Sequence, residues 1–178
     1  YIPGNRLGEN RTPNNWEPEA HIEAFLNPLV DNQYVTKEVI GEDTSGKYNV
    51  YKFTFEPQNY NKTLLITSCI HGNETTGFFD MCHILNLLVN QWEKYPQLTY
   101  LRKNVRLIYV PMVNPWGFAN QKRENVNNVD LNRNFDYNWK AGKGTDPDKS
   151  NFKGKSPFSE KESQNMRSLV PVSYTHLR

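Results

Sequence analysis

Thr63-Leu64-Leu65-Ile66-Thr67-Ser68-Cys69-Ile70, followed at once by His71-Gly72-Asn73-Glu74, is the stretch on which the fold turns. An apolar run of this length between polar residues predicts a buried central β-strand. Downstream, Phe78, Met81, Cys82, Leu85, Leu88 and Val89 recur at helical spacing and predict a helix over residues 74–92. Residues 105–111 are again mostly apolar and predict a second buried strand. Strand, helix, strand in that order implies a crossover unit in an α/β sheet. Upstream, Tyr51, Phe53 and Phe55 alternate with Val50, Lys52 and Thr54, so residues 35–40 and 48–55 read as strands joined by a turn-rich link. Pro18 suits the first turn of a short helix over residues 17–29. The expected fold is α/β, with a mixed, largely parallel central sheet flanked by helices and incomplete at the C-terminus.

Composition narrows the function. The 178 residues are 37% apolar with a formal net charge of +2, enough for a packed core and too balanced for a phosphate-binding surface. Nucleic acid is therefore not an expected partner. No apolar run approaches the roughly 20 residues that span a bilayer. The two cysteines, Cys69 and Cys82, read as buried small residues, and His21 and His83 as ordinary helix residues. Sequons at Asn10, Asn61 and Asn73 assign no compartment, and localisation stays open.

Chemistry enters at His71 and Glu74. A strand end fixes the backbone, and a turn through Gly72 lets an imidazole and a carboxylate converge on one ion, an N/O pair that zinc accepts. The spacing alone equally suits a surface His beside a helix-start Glu. The polar stretch over residues 114–158 is long for a loop in a compact domain, which marks it as functional. Ser159, with Glu162 three residues on, reads as the capping box of a final helix.

Within that stretch, Asn114-Pro115-Trp116-Gly117-Phe118 precedes Arg123-Glu124-Asn125 and Val129-Asp130-Leu131-Asn132-Arg133-Asn134-Phe135. In this order after His71-Gly72-Asn73-Glu74, these blocks resemble the zinc carboxypeptidase family, with Ser159-Glu160-Lys161-Glu162 similar to its next block. The resemblance implies a zinc-dependent hydrolase acting on a peptide with a free C-terminal carboxylate, cell-wall peptides among the candidates. It makes His71 and Glu74 two of three Zn2+ ligands, puts Arg123 at the oxyanion, and has Asn132 and Arg133 hold the terminal carboxylate. A planar guanidinium pairs bidentately with a carboxylate and a neighbouring amide adds a donor, so the residue types agree. Asp130 reads as a structural carboxylate that fixes the loop. Asn128 stands where the family has Gly, and Trp116 where it has an acidic residue. Phe135, Tyr137 and Trp139 read as packing residues.

The domain reading is an N-terminal arm over residues 1–16, a partial catalytic domain over 17–169, and a non-native tail over 170–178 that resembles translated adapter sequence. The family's third ligand and general-base Glu are expected beyond the chain, His176 is not read as a ligand, and the fragment is expected to be inactive alone. The alternatives are an N-acyl amino acid deacylase or desuccinylase of related fold, and a non-catalytic carboxylate-binding relative.

Overall fold

A computed structural model describes residues 15–31 and 33–170. Residues 1–14 of the proposed arm, and the proposed tail from residue 171 on with His176, lie outside the described residues. Strand β1 (Val35–Glu42) turns through Asp43 to Gly46 into β2 (Asn49–Phe55), antiparallel to it with a bulge between Val39 and Gly41. β2 pairs antiparallel with β4 (Val105–Val110), which pairs in parallel with β3 (Lys62–Thr67), giving the order β1-β2-β4-β3. The crossover from β3 to β4 carries α2 (Thr76–Asn90) and α3 (Pro96–Asn104), as the strand–helix–strand pattern requires.

The architecture is the expected mixed α/β one, with its parallel part confined, among the described residues, to the β3–β4 pair. Two further details differ from expectation. β3 is not buried: it lies at the edge of the described sheet, and Leu64 is 44% exposed. β4, with a neighbour on each side, buries Val105, Leu107, Tyr109 and Val110 instead. The capping box does not form either. Helix α5 (Lys161–Leu169) starts from Glu160 without a side-chain cap, because Ser159 bonds to Asn134 and Glu162 to Thr44. Tertiary partners have outcompeted the local motif.

The period of two in β2 is what divides the core. Tyr51, Phe53 and Phe55 face helix α1 (Pro18–Phe25) and α2, where they meet Ile22, Leu26, Phe78, Leu85 and Leu88. Val50, together with Val110 and Val113, faces Met166 and Leu169 of α5 and Phe135 of the long loop. Each fully buried Phe, Leu, Val or Met contributes roughly 1.5–3 kcal/mol, so both layers hold the sheet between them. Phe135 is a packing residue as read, edge-on to Phe158 at 5.7 Å, whereas Tyr137 is 89% exposed and packs on nothing comparable.

His21 is more deeply placed than an ordinary helix residue. It is 1% exposed, donates from Nδ1 to the Glu17 carbonyl at 2.8 Å, and lies edge-on to Phe118 at 5.0 Å and parallel to Trp16 at 5.9 Å. Burial lowers its pKa below 6.5, and the bond to Glu17 and the charge of that residue offset this only in part. A base whose folded pKa lies below its unfolded value gives stability that is complete above pH 6.5 and is lost as pH falls through that value. Thermal melts should therefore lose midpoint between pH 7 and pH 5 in the native chain, and the His21→Phe chain should lose distinctly less. Equal losses would remove His21 as the cause.

Candidate active site

Beyond their last paired residues, β3 and β4 stay zipped together. Ser68 N–H donates to the Val110 carbonyl at 3.1 Å, Val113 N–H to Ser68 at 3.2 Å and Asn114 N–H to Cys69 at 3.0 Å. Ser68 Oγ adds a bond to the Pro111 carbonyl at 2.7 Å. This extension brings His71-Gly72 against the turn at Gly117-Phe118 so closely that a Cβ on Gly72 would stand 1.9 Å from the Gly117 carbonyl carbon. The turn itself starts helix α4 (Pro115–Asn120), capped by Asn114, whose Oδ1 accepts from Gly117 N–H at 2.8 Å. Its Nδ2 donates to the Glu124 carbonyl at 3.0 Å. One buried amide thus joins the α4 turn, on which Gly72 packs, to the segment carrying Arg123.

Four side chains then close a ring. His71 Nε2 lies 3.0 Å from Asp130 Oδ1, and Nδ1 lies 2.9 Å from Glu74 Oε1. Arg123 spans the two carboxylates, with Nη2 3.1 Å from Asp130 Oδ2 and Nη1 3.4 Å from Glu74 Oε1. Burial grades across the ring: the Asp130 side chain is 1% exposed, His71 6%, Arg123 37% and Glu74 60%. The inner half is locked and the outer half open to an incoming molecule. Three of the five predicted site residues, His71, Glu74 and Arg123, are therefore together.

Asp130 is the member that sequence reasoning undervalued. Besides orienting His71 it accepts from Asn132 N–H at 3.0 Å, starting the short helical turn Leu131–Arg133. Its signal was present: an acidic residue set between the apolar Val129 and Leu131, two positions before the predicted clamp. Asn132 and Arg133 are exposed, and the Arg133 guanidinium lies 3.4 Å from its neighbour's carbonyl. The turn that carries them is fixed by Asn134, 0% exposed, which donates to Lys153, Ser156 and Ser159. A cleft of about 790 Å³ behind this loop, lined in part by Val129, Trp139 and Phe152, contains none of the predicted site residues. Cys69 is buried, with its thiol pushed up to about 12 by burial, so it is no nucleophile at neutral pH.

The ring suits a cation. With Asp130 accepting, the proton of His71 belongs on Nε2, and Nδ1 then points its lone pair at a carboxylate oxygen 2.9 Å away. Two acceptors held face to face need a proton or a metal ion between them. A carboxylate behind a ligating imidazole is also the arrangement that fixes its orientation and raises its basicity. Among the described residues no third His, Cys, Asp or Glu completes the set.

The site lies at the joined ends of a parallel strand pair, with an imidazole and a carboxylate converging beside an Arg–carboxylate pair. The chain belongs to the zinc carboxypeptidase family, whose model matches residues 22–175. It is similar to carboxypeptidase M of Mus musculus, at 43% identity over 37% of this chain and 17% of that protein. It is also similar to carboxypeptidase SOL1 of Arabidopsis thaliana, at 39% identity over 37% of this chain and 13% of that protein. The fold is that of the Helicoverpa armigera carboxypeptidase A structure, with a TM-score of 0.69 at 22% identity over 85% of this chain and 40% of that one. Bovine thrombin-activatable fibrinolysis inhibitor, solved with a tick carboxypeptidase inhibitor, also gives a TM-score of 0.69, at 20% identity over 95% of this chain and 59% of that one. The chain thus spans less than two thirds of the length of the relatives it matches.

Proposed function

We propose that this chain carries part of the active site of a zinc-dependent carboxypeptidase, which releases the C-terminal residue of a peptide by hydrolysis. The observation that carries this reading is the closed ring of His71, Glu74, Arg123 and Asp130. In it His71 Nδ1 and Glu74 would hold Zn2+, Asp130 would keep the imidazole in register, and Arg123 would stand beside the reacting carbonyl. When bound, zinc polarises that carbonyl and lowers the pKa of water to about 7. Arg123 presents fixed N–H donors to the oxygen as it gains charge, in a position already paid for by its pairing with Asp130. Asn132 and Arg133, exposed and beside that ring in sequence, would take the substrate's terminal carboxylate. That contact sets which peptide bond lies at the reacting centre.

Two ligands hold zinc weakly, since catalytic sites use three protein ligands. We therefore place full activity in the full-length protein and expect the 178-residue chain alone to be inactive. The full-length protein should release C-terminal amino acids from peptides, lose this in chelator and regain it with zinc. Faster turnover of N-acyl amino acids than of peptides would move the assignment to a deacylase. No turnover of either, with retained affinity for free carboxylates, would leave a binding relative. Cell-wall peptides belong in the substrate panel beside ordinary ones.

A further inference from the structure

We infer that the segment from Ser159 to Ser163 is the template on which the two halves of the site are set, and that Glu160 is a positioning residue for Arg123 and Asp130. This rests on the carboxypeptidase reading for its kinetic consequence. Arg123 and Asp130 are the two ends of a loop that closes on Asn125. Asn125 Oδ1 accepts from the N–H groups of Asn127 at 3.0 Å and Val129 at 3.1 Å, and its own N–H donates to the Val129 carbonyl at 3.1 Å. Asn128 turns the loop with a φ of 59°, which Asn tolerates. The loop is then tied down at a distance. Asn125 Nδ2 donates to Glu160 Oε2 at 2.8 Å, Asn127 Nδ2 to the same oxygen at 2.9 Å, and Asn125 also lies 3.4 Å from Glu162 Oε2.

Glu160 is 4% exposed, and its other oxygen accepts from Ser159 Oγ at 2.7 Å. Glu162 is 0% exposed and is held by Thr44 N–H at 3.1 Å, which fixes the template to the β1–β2 turn. The second half of the site is attached to the same five residues through different atoms. Asn134, which anchors the Asn132–Arg133 turn, donates to Ser159 Oγ at 2.9 Å and accepts from Glu160 N–H at 3.2 Å and Ser163 Oγ at 2.6 Å. One short segment therefore registers the Arg123 arm by side-chain carboxylates and the carboxylate clamp by hydroxyls and a backbone amide. The two attachments are separable, and that makes the role testable.

In the full-length zinc-loaded protein, Glu160→Ala should lower kcat roughly 10- to 100-fold through misplacement of Arg123, with KM changing by less than about 3-fold. Glu160→Gln keeps an acceptor oxygen for the two amides and should recover most of that loss. Ser163→Ala, which removes bonds to Asn134 and to the Glu160 backbone carbonyl but none to the Glu160 carboxylate, should act mainly by raising KM. Asn127→Ala removes one side-chain tie from an exposed residue and should keep the fold, so it serves if Glu160→Ala does not fold, with a smaller fall in kcat expected. Unchanged kcat in Glu160→Ala or Asn127→Ala, or a Glu160→Gln protein as impaired as Glu160→Ala, overturns the proposal. If the wild-type protein cleaves no peptide, the carboxypeptidase reading fails by itself. Calorimetry with an N-acyl amino acid then decides the template: Ser163→Ala should weaken binding and Glu160→Ala should leave it intact, and the reverse pattern refutes it.

Discussion

Arg123→Ala in the full-length protein should cut kcat for C-terminal release by roughly 100- to 1,000-fold while KM stays within a few-fold, the size of effect seen when a donor to a developing oxyanion is removed. The expectation follows from where the guanidinium is held. Asp130, 1% exposed, fixes one end of it at 3.1 Å, and Glu74 approaches the other at 3.4 Å. Its position is thus set before any substrate arrives, so no reorganisation is needed as charge builds. Arg123→Lys should recover little, because a single ammonium cannot span two carboxylates and also face a third oxygen. Steady-state kinetics on three purified proteins measures this, with zinc content checked in each. A fall in kcat/KM carried wholly by KM would make Arg123 a ground-state binding residue and sink the oxyanion role.

Gly72→Ala should be severely damaging to both fold and site. The added carbon would meet Gly117 carbonyl carbon at 1.9 Å and Phe118 N at 2.2 Å, both backbone atoms. A flexible side chain could swing aside, but two turns packed main chain on main chain cannot. Overpacking of this kind costs about 3 kcal/mol or more, which is roughly 6–12 °C in melting temperature for a domain of this size. If the fold survives, the turn must move, and with it His71 and Glu74, so zinc retention should fall with stability. Gly117→Ala is the contrast: the three atoms nearest its added carbon belong to the Asn114 side chain, from 2.3 Å, and relief there loses that side chain's bonds to Gly117 and Glu124 but moves no backbone. Its melting loss should be the smaller of the two. A Gly72→Ala protein that melts and binds zinc like the native one would show that the turns do not need this contact.

How much of this could be read from the residues depended on the range of the interaction. The α2 periodicity, the alternation in β2 and the apolar run of β4 each report a local geometry, and all three elements formed close to their expected bounds. Membership in the family was legible for the same reason, since its blocks are short and ordered. What sequence could not show was which distant partner a polar residue would choose. Ser159 and Glu162 fit a local capping box, yet Asn134 and Thr44, from 25 and 118 residues away, claimed them. Asp130 looked like a loop-fixing carboxylate and does fix the loop through Asn132, but 59 residues separate it from the imidazole it holds. β3 lies at the edge of the described sheet despite its apolar run, because such a run reports what a strand can bury, not how many neighbours it has. The Asn125–Glu160 tie was invisible for the same reason, as burial of an amide and an acid together is decided only by the fold.

The central claim is that this site belongs to an enzyme that needs a free terminal carboxylate. It is tested most directly by giving the full-length zinc-loaded protein one peptide in two forms, with a free C-terminus and with a C-terminal amide. The free acid should be cleaved at least ~100-fold faster, since with the proposed roles of Asn132 and Arg133 the amide would forfeit a charge-assisted pairing worth several kcal/mol. Arg133→Ala should erase most of that preference. Equal cleavage of both forms, or hydrolysis at internal bonds, would contradict the account.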